Sequence, residues 1–237
     1  MKHKVLIALL PEYISVLLLV LLIAVLGNCV VDVYIENAPI PDRTTVIIDA
    51  GHGGIDGGAT SCTGILESQI NLEIALRLND LMHFIGINTV MIRTTDRSVY
   101  TEGETISTQK VSDLKHRVNI INNTENALLV SIHQNYFGDS RYSGAQVFYA
   151  KTQDSDVLAK SLQNTFIAKL NKGSRREAKK ASGIYLMEHI RCTGVLVECG
   201  FLSNENEESL LRDDAYQSKI CCVICGTFSD YLYNRIS

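Results

Sequence analysis

The sequence predicts an α/β domain built on a mainly parallel, twisted sheet with helices on both faces, preceded by an N-terminal hydrophobic segment. Short β-branched runs alternate with amphipathic helical patterns from residue 45 onward, which is how parallel strands and their crossovers are encoded. Three of the runs lead into residues able to bind metal or move protons, as expected where a ligand sits beyond the carboxyl ends of strands. The apolar residues are also unevenly distributed. The chain has 237 residues, 46% of them apolar, yet 28 of the first 41 are apolar. With 22 Lys and Arg against 26 Asp and Glu, the net charge is −4. No basic surplus is present to drive phosphate binding, so no nucleic-acid partner is expected. The apolar content also argues against a disordered chain.

Residues 1–35 have the character of a signal peptide or signal anchor. Lys2 and Lys4 precede an apolar stretch over residues 14–31, interrupted only by Ser15, Gly27 and Asn28. That approaches the roughly 20 residues that cross a bilayer. The leading lysines favour a cytoplasmic N-terminus, which puts the rest of the chain on the outer side of the membrane. No clear small-x-small cleavage site follows, so anchor and cleaved peptide both stand. Residues 36–43, with Pro39 and Pro41, form a linker to a domain at 44–237.

Within that domain the first strand covers residues 45–49 and ends in a glycine-rich loop. Ile70, Ile74, Leu78, Leu81 and Ile85 recur at helical spacing over residues 68–85. A strand is expected at 89–93, a helix at 112–122 and a strong strand at 127–132. Another strand at 145–150 precedes a helix at 154–170, and the basic stretch 172–180 is expected to be a solvated loop. A short strand at 195–197 and a helix at 214–233 close the chain.

Four residues carry the chemistry. The first strand delivers His52, the third His133 and the last Glu198, while Glu67 opens the long helix where the chain returns from the glycine loop. Two imidazoles and a carboxylate form a three-ligand set that leaves a zinc ion one open position. His52, Glu67 and His133 are therefore the candidate ligands of Zn2+. Glu198 is the candidate general base and acid, since hydrolysis needs a group to take a proton from water and return it to the leaving nitrogen. A carboxylate directly after Val195, Leu196 and Val197 lies at the core's edge, where charge is costly without a purpose. Taken singly, His52 or His133 could be a hydrogen-bonded structural residue, and Glu67 a favourable charge at a helix start. The glycine loop does not fit a dinucleotide fingerprint, because position 56 is Asp. His3, His83, His116 and His189 lack comparable partners. The seven cysteines, Cys222 and Cys225 included, fit small core residues better than a disulfide framework or a zinc knuckle.

These residues lie in stretches that resemble a known family. VIIDAGHGGIDGGA at 46–59, ESQINLEIAL beginning at Glu67, SIHQN at 131–135 and VLVECGFLSNENEE at 195–208 are together similar to the zinc-dependent N-acetylmuramoyl-L-alanine amidases of the amidase 3 group. The resemblance implies that His52, Glu67 and His133 bind zinc and that Glu198 is the catalytic glutamate. It further implies cleavage of the amide between muramic acid and L-alanine in peptidoglycan. A single hydrophobic segment followed directly by the catalytic domain, YLMEHI at 185–190 and Cys199 within VECGFLSN resemble the CwlD-type, germination-specific subgroup of spore formers. That subgroup implies a role in muramic δ-lactam formation in the spore cortex, a location around the developing spore and, for some members, an activating lipoprotein partner. Cys192 and Thr193 stand where the family often has a Pro, and Tyr136 where it commonly has a small residue, which could alter the cleft beside His133. Alternatives are a catalytically silent wall-binding or regulatory protein on the same fold, and a zinc peptidase that cuts within the stem peptide.

Overall fold

The computed structural model describes residues 44–235; the apolar segment at 1–35 and the 36–43 linker lie outside the described residues. Among the described residues, no helix is long and apolar enough to cross a membrane. The strands are β1 (Thr45–Ala50), β2 (Thr89–Met91), β3 (Ala127–Asn135), β4 (Gln146–Tyr149), β5 (Lys179–Lys180) and β6 (Thr193–Phe201). The helices are α1 (Glu67–Phe84), α2 (Ile106–Asn123), α3 (Ser155–Lys169), α4 (Tyr185–His189), α5 (Glu205–Leu211) and α6 (Asp214–Asn234). One sheet runs in the order β2-β1-β3-β6-β4-β5. Its first four strands are parallel, β4 is antiparallel to β6, and β5 is parallel to β4.

Side chains alternate across a strand, so each strand feeds two cores. Val46 and Ile48 of β1, Leu128 and Val130 of β3, and Val195 and Val197 of β6 meet α1, α3 and α6 in the larger core. The intervening Ile47, Leu129 and Leu196 meet Ile121 of α2 and Leu186 and Met187 of α4 in a smaller one. Continuing that alternation puts Asp49, Ser131, His133 and Glu198 on the thinly covered face, at the carboxyl ends of the central strands. The sheet thus delivers polar groups where only α2 and α4 stand over them.

Several elements depart from expectation for local reasons. Helix α2 starts at Ile106, two turns early, because Thr105 and Thr108 form a reciprocal capping box before any apolar periodicity begins. Strand β6 spans nine residues, so Glu198 lies inside it. The end of the basic stretch pairs with Phe148 and Tyr149 as β5, and α4 and α5 are too short to show a period. Cys199, Cys221 and Cys225 are buried, whereas Cys222 is exposed.

Candidate active site

The loop after β1 is held by close packing and two buried guanidinium groups. A Cβ at Gly51 would come within 2.3 Å of the His133 ring, so only glycine fits there. His52 adopts a left-handed φ of 60°, a costly conformation for a residue with a Cβ. The carbonyls around it are fixed from behind. Arg93 Nε donates to Ala50 O (2.8 Å) and its Nη2 to Gly51 O (2.9 Å) and Ser68 O (2.8 Å). Arg117 donates to Ala50 O (3.0 Å) and His52 O (2.7 Å), and also pairs with Asp49 and Asp113. Burial opposes the charge on Asp49, but Arg117 and the Ser131 hydroxyl outweigh it and hold the carboxyl below its ordinary range.

Glu67, the first residue of α1, stands between the two imidazoles. Its Oε2 lies 3.3 Å from His52 Nε2 and accepts from Ala59 N (3.0 Å). Its Oε1 lies 3.0 Å from His133 Nδ1 and accepts from Gln134 N (3.1 Å) and Asn71 Nδ2 (3.1 Å). Burial would raise the Glu67 carboxyl, but the flanking His133 and His52 hold it far below the usual range. Each His52 nitrogen has its own carboxylate, Nδ1 facing Asp56 Oδ2 at 2.9 Å, and Lys110 Nζ lies 2.8 Å from the other Asp56 oxygen. Burial alone lowers the His52 imidazole, but the bonds to Asp56 and Glu67 outweigh it and raise its pKa to about 9. One ligand atom from each of His52, Glu67 and His133 falls within 4.8 Å of the others, a cluster that could hold a metal ion. Asp56 and Asn71 orient His52 and Glu67 from outside that cluster, as the outer partners of metal ligands do.

Glu198 is the register partner of His133 across β3 and β6. Its Oε2 is buried and has no hydrogen-bond partner among the described residues. Burial, with Glu67 adding to it against His133 and His52, raises its pKa to about 7. The four residues singled out from the sequence therefore converge, three as a donor cluster and the fourth beside it. A cavity of about 180 Å³ opens onto His52 and His133 and is walled by Lys110, Leu114, Ile184 and Leu186. A larger cavity of about 490 Å³ lies at the amino ends of β1, β3 and β6 and contains none of these residues.

Residues 46–227 match the family model described as N-acetylmuramoyl-L-alanine amidase. The chain belongs to this family. The germination-specific N-acetylmuramoyl-L-alanine amidase of Bacillus subtilis (strain 168) is 39% identical over 181 residues, which cover 76% of each chain. Among solved structures, the CwlD amidase from Clostridioides difficile, determined in complex with the GerS lipoprotein, is 40% identical with a TM-score of 0.77. That likeness covers 82% of this chain and 100% of the other. The catalytic domain of CwlV from Bacillus (Paenibacillus) polymyxa var. colistinus shares 28% identity at a TM-score of 0.68, over 80% and 98% of the two chains. The family resemblance carried by the four motifs is thus shown. Sequence reasoning missed Asp56, Asn71, Arg93, Lys110 and Arg117. Arg117 alone left a signal, because it interrupts the apolar stripe of Leu114 and Ile121.

Proposed function

We propose that this amidase is a zinc enzyme that hydrolyses the amide between N-acetylmuramic acid and L-alanine in peptidoglycan. His52, Glu67 and His133 are its metal ligands and Glu198 its catalytic carboxylate. The observation that carries this reading is the single cluster formed by three donors from β1, α1 and β3, with an enclosed carboxyl beside it in register. Two imidazoles and a carboxylate without thiolate suit zinc, so the residues fit the ion. Zinc, when bound, supplies Lewis-acid polarisation of the amide carbonyl and acidifies a water toward neutral pH.

The chain's own residues supply the rest. Glu198 takes the proton of the attacking water and returns it to the alanyl nitrogen as the bond breaks, a task suited to a carboxyl that titrates near neutrality. Asp56 holds the His52 ring through Nδ1, and Asn71 holds the Glu67 carboxylate. Leu114, Ile184, Leu186 and Leu196 give the small cavity beside the cluster an apolar part of its wall.

In this reading residues 1–35 export or anchor the enzyme, residues 36–43 are its linker and residues 44–237 its catalytic domain. Cleavage takes place outside the cytoplasmic membrane, around the developing spore, and prepares muramic δ-lactam in the cortex for germination. The germination-specific relative and the CwlD–GerS complex support that role and an activating lipoprotein partner. The test is digestion of purified peptidoglycan by the full chain, with zinc content measured on the same sample. Free L-alanyl stem peptides are expected. Glu198→Gln keeps zinc and loses cleavage, whereas His133→Ala loses both; full activity in Glu198→Gln overturns the mechanism, and shortened stems overturn the bond assignment.

A further inference from the structure

The two strands that carry the site continue beyond it. After the His133–Glu198 pair, β3 and β6 run side by side to the Asn135–Phe201 pair, with a register irregularity between them. At about 3.3 Å per residue, Tyr136 and Phe201 lie on the order of 10 Å past His133 and Glu198. Aromatic residues stand there, Phe137, Tyr142 and Phe201 in ring contact and Tyr136 next to Phe137 in the chain. Tyr136, Phe137 and Tyr142 are 54%, 53% and 47% exposed. The Phe137 ring meets Tyr142 edge-on at 4.9 Å, and Tyr142 stacks on the buried Phe201 ring at 6.1 Å.

The backbone beneath these rings is firmly held. The Glu207 carboxylate accepts from Gly144 N (2.8 Å) and Phe201 N (2.9 Å). Asn204 Nδ2 donates to Ser140 O (2.8 Å), and Phe137 N donates to Ser203 Oγ (3.2 Å). Three large aromatic side chains within seven residues are therefore kept in water by a braced loop. Ordered, exposed rings offer a flat contact surface, and their pre-ordering lowers the entropy cost of an occupant.

We propose that Tyr136, Phe137 and Tyr142 form a glycan subsite on which the sugar unit next to the cleaved one stacks its C–H face. The proposal rests on the reading of the chain as a muramic-acid amidase, which defines two sides of the reacting bond: sugar on the acyl side, peptide on the nitrogen side. Within this proposal the small cavity beside His52 and His133 takes the peptide side of the bond. The aromatic residues follow the carboxyl ends of β3 and β6, the strands that carry His133 and Glu198, and take the sugar side. Electron-rich ring faces attract C–H groups that carry partial positive charge, and the tyrosine hydroxyls can bond to sugar oxygens.

The test uses the full chain, its Tyr136→Ala/Phe137→Ala double variant and the conservative Tyr136→Phe/Phe137→Tyr pair, with folding checked by circular dichroism. The probes are peptide-free glycan strands for binding, and stem-bearing strands and an N-acetylmuramoyl–peptide with no neighbouring sugar for turnover. The alanine pair is expected to bind peptide-free strands roughly tenfold more weakly. Its KM for long strands rises by a similar factor with kcat within about twofold, while kcat/KM on the N-acetylmuramoyl–peptide without a neighbouring sugar is kept. The conservative pair restores binding. Failure of the parent to bind peptide-free strands overturns the proposal, as does unchanged binding in the alanine pair. Equal losses on both turnover substrates, or a loss seen only with an added lipoprotein, also overturn it, because the aromatic residues would then shape the site or dock a protein. Glycan binding by a parent that cleaves neither substrate overturns the amidase mechanism and leaves the subsite standing.

Discussion

Glu198 and Asp49 are both carboxylates on the thinly covered face of the sheet, and their surroundings drive them in opposite directions. Glu198 has one oxygen without a partner, and burial raises its pKa from 4.5 to about 7. The folded state therefore holds this proton more tightly than the unfolded chain, and stability falls as pH rises from about 4.5 through about 7. Replacing the carboxylate with an amide removes that cost. In the metal-free full chain at pH 8, Glu198→Gln is expected to stabilise the fold by on the order of 1 to 3 kcal/mol while turnover is lost. Identical urea midpoints for parent and variant at pH 8 would show that the carboxylate is not confined. Asp49 has the reverse sign. Arg117 and Ser131 hold it below its ordinary value against burial, so its contribution is present above the unfolded pKa and is lost as pH falls through the folded one. Asp49→Asn, which leaves the Arg117 guanidinium without its buried partner, is expected to cost about 3 to 5 kcal/mol at neutral pH. Urea melts from pH 7 downward should show the gap between parent and variant narrowing; a constant gap would place the loss in packing instead of charge.

The same arginine shows how the elements cooperate. Helix α2 reaches under the β1 loop with Arg117, and the residue after Ile92 beyond β2 does so with Arg93, so carbonyls at Ala50, Gly51 and His52 are each fixed by a guanidinium. Arg117→Lys keeps the charge but cannot reproduce the fork that spans Asp49, Asp113 and two carbonyls. Zinc affinity measured by competition with a chelating dye is expected to fall about 10- to 100-fold, with the far-ultraviolet spectrum unchanged. An unchanged affinity would mean that the loop holds His52 without its clamp. Gly51→Ala should weaken affinity from the other side by driving a methyl group into the His133 ring. These clamps also mark the limit of what the sequence made legible. Strands β1 and β3 and helices α1, α3 and α6 are visible because apolar periodicity records burial, and His52, Glu67, His133 and Glu198 are visible because each stands at or near an element's end. The antiparallel direction of β4 is not, since alternation along a strand is the same in either orientation. The early start of α2 lies in polar residues that bury little. Arg93, Arg117 and Lys110 were missed because their long side chains reach the β1 loop from more than 40 residues along the chain, and although Arg117 interrupts an apolar stripe, neither periodicity nor spacing names its partner.

At the scale of the molecule, the unequal coverage of the sheet separates stability from chemistry. Helices α1, α3 and α6 bury the larger core on one face, while the site occupies the other, where α2 and α4 leave the central strand ends accessible. The three candidate ligands come from the β1 loop, the start of α1 and β3, segments that meet only when the sheet and its first crossover have formed. An ion held by all three binds the folded chain and has no comparable site in the unfolded one, so it stabilises by mass action. At free zinc about 100 times its dissociation constant the gain is about 2.7 kcal/mol. For a domain of this size, that corresponds to a rise in Tm of roughly 5 to 10 °C. Thermal melts of the full chain with added zinc should show this rise, and a chelator should reverse it. His133→Ala is expected to abolish the shift, whereas Glu198→Gln keeps it, because Glu198 lies outside the donor cluster. A zinc-dependent shift that survives in His133→Ala would assign the ion to other donors, and loss of the shift in Glu198→Gln would make that carboxylate a ligand instead of a proton carrier.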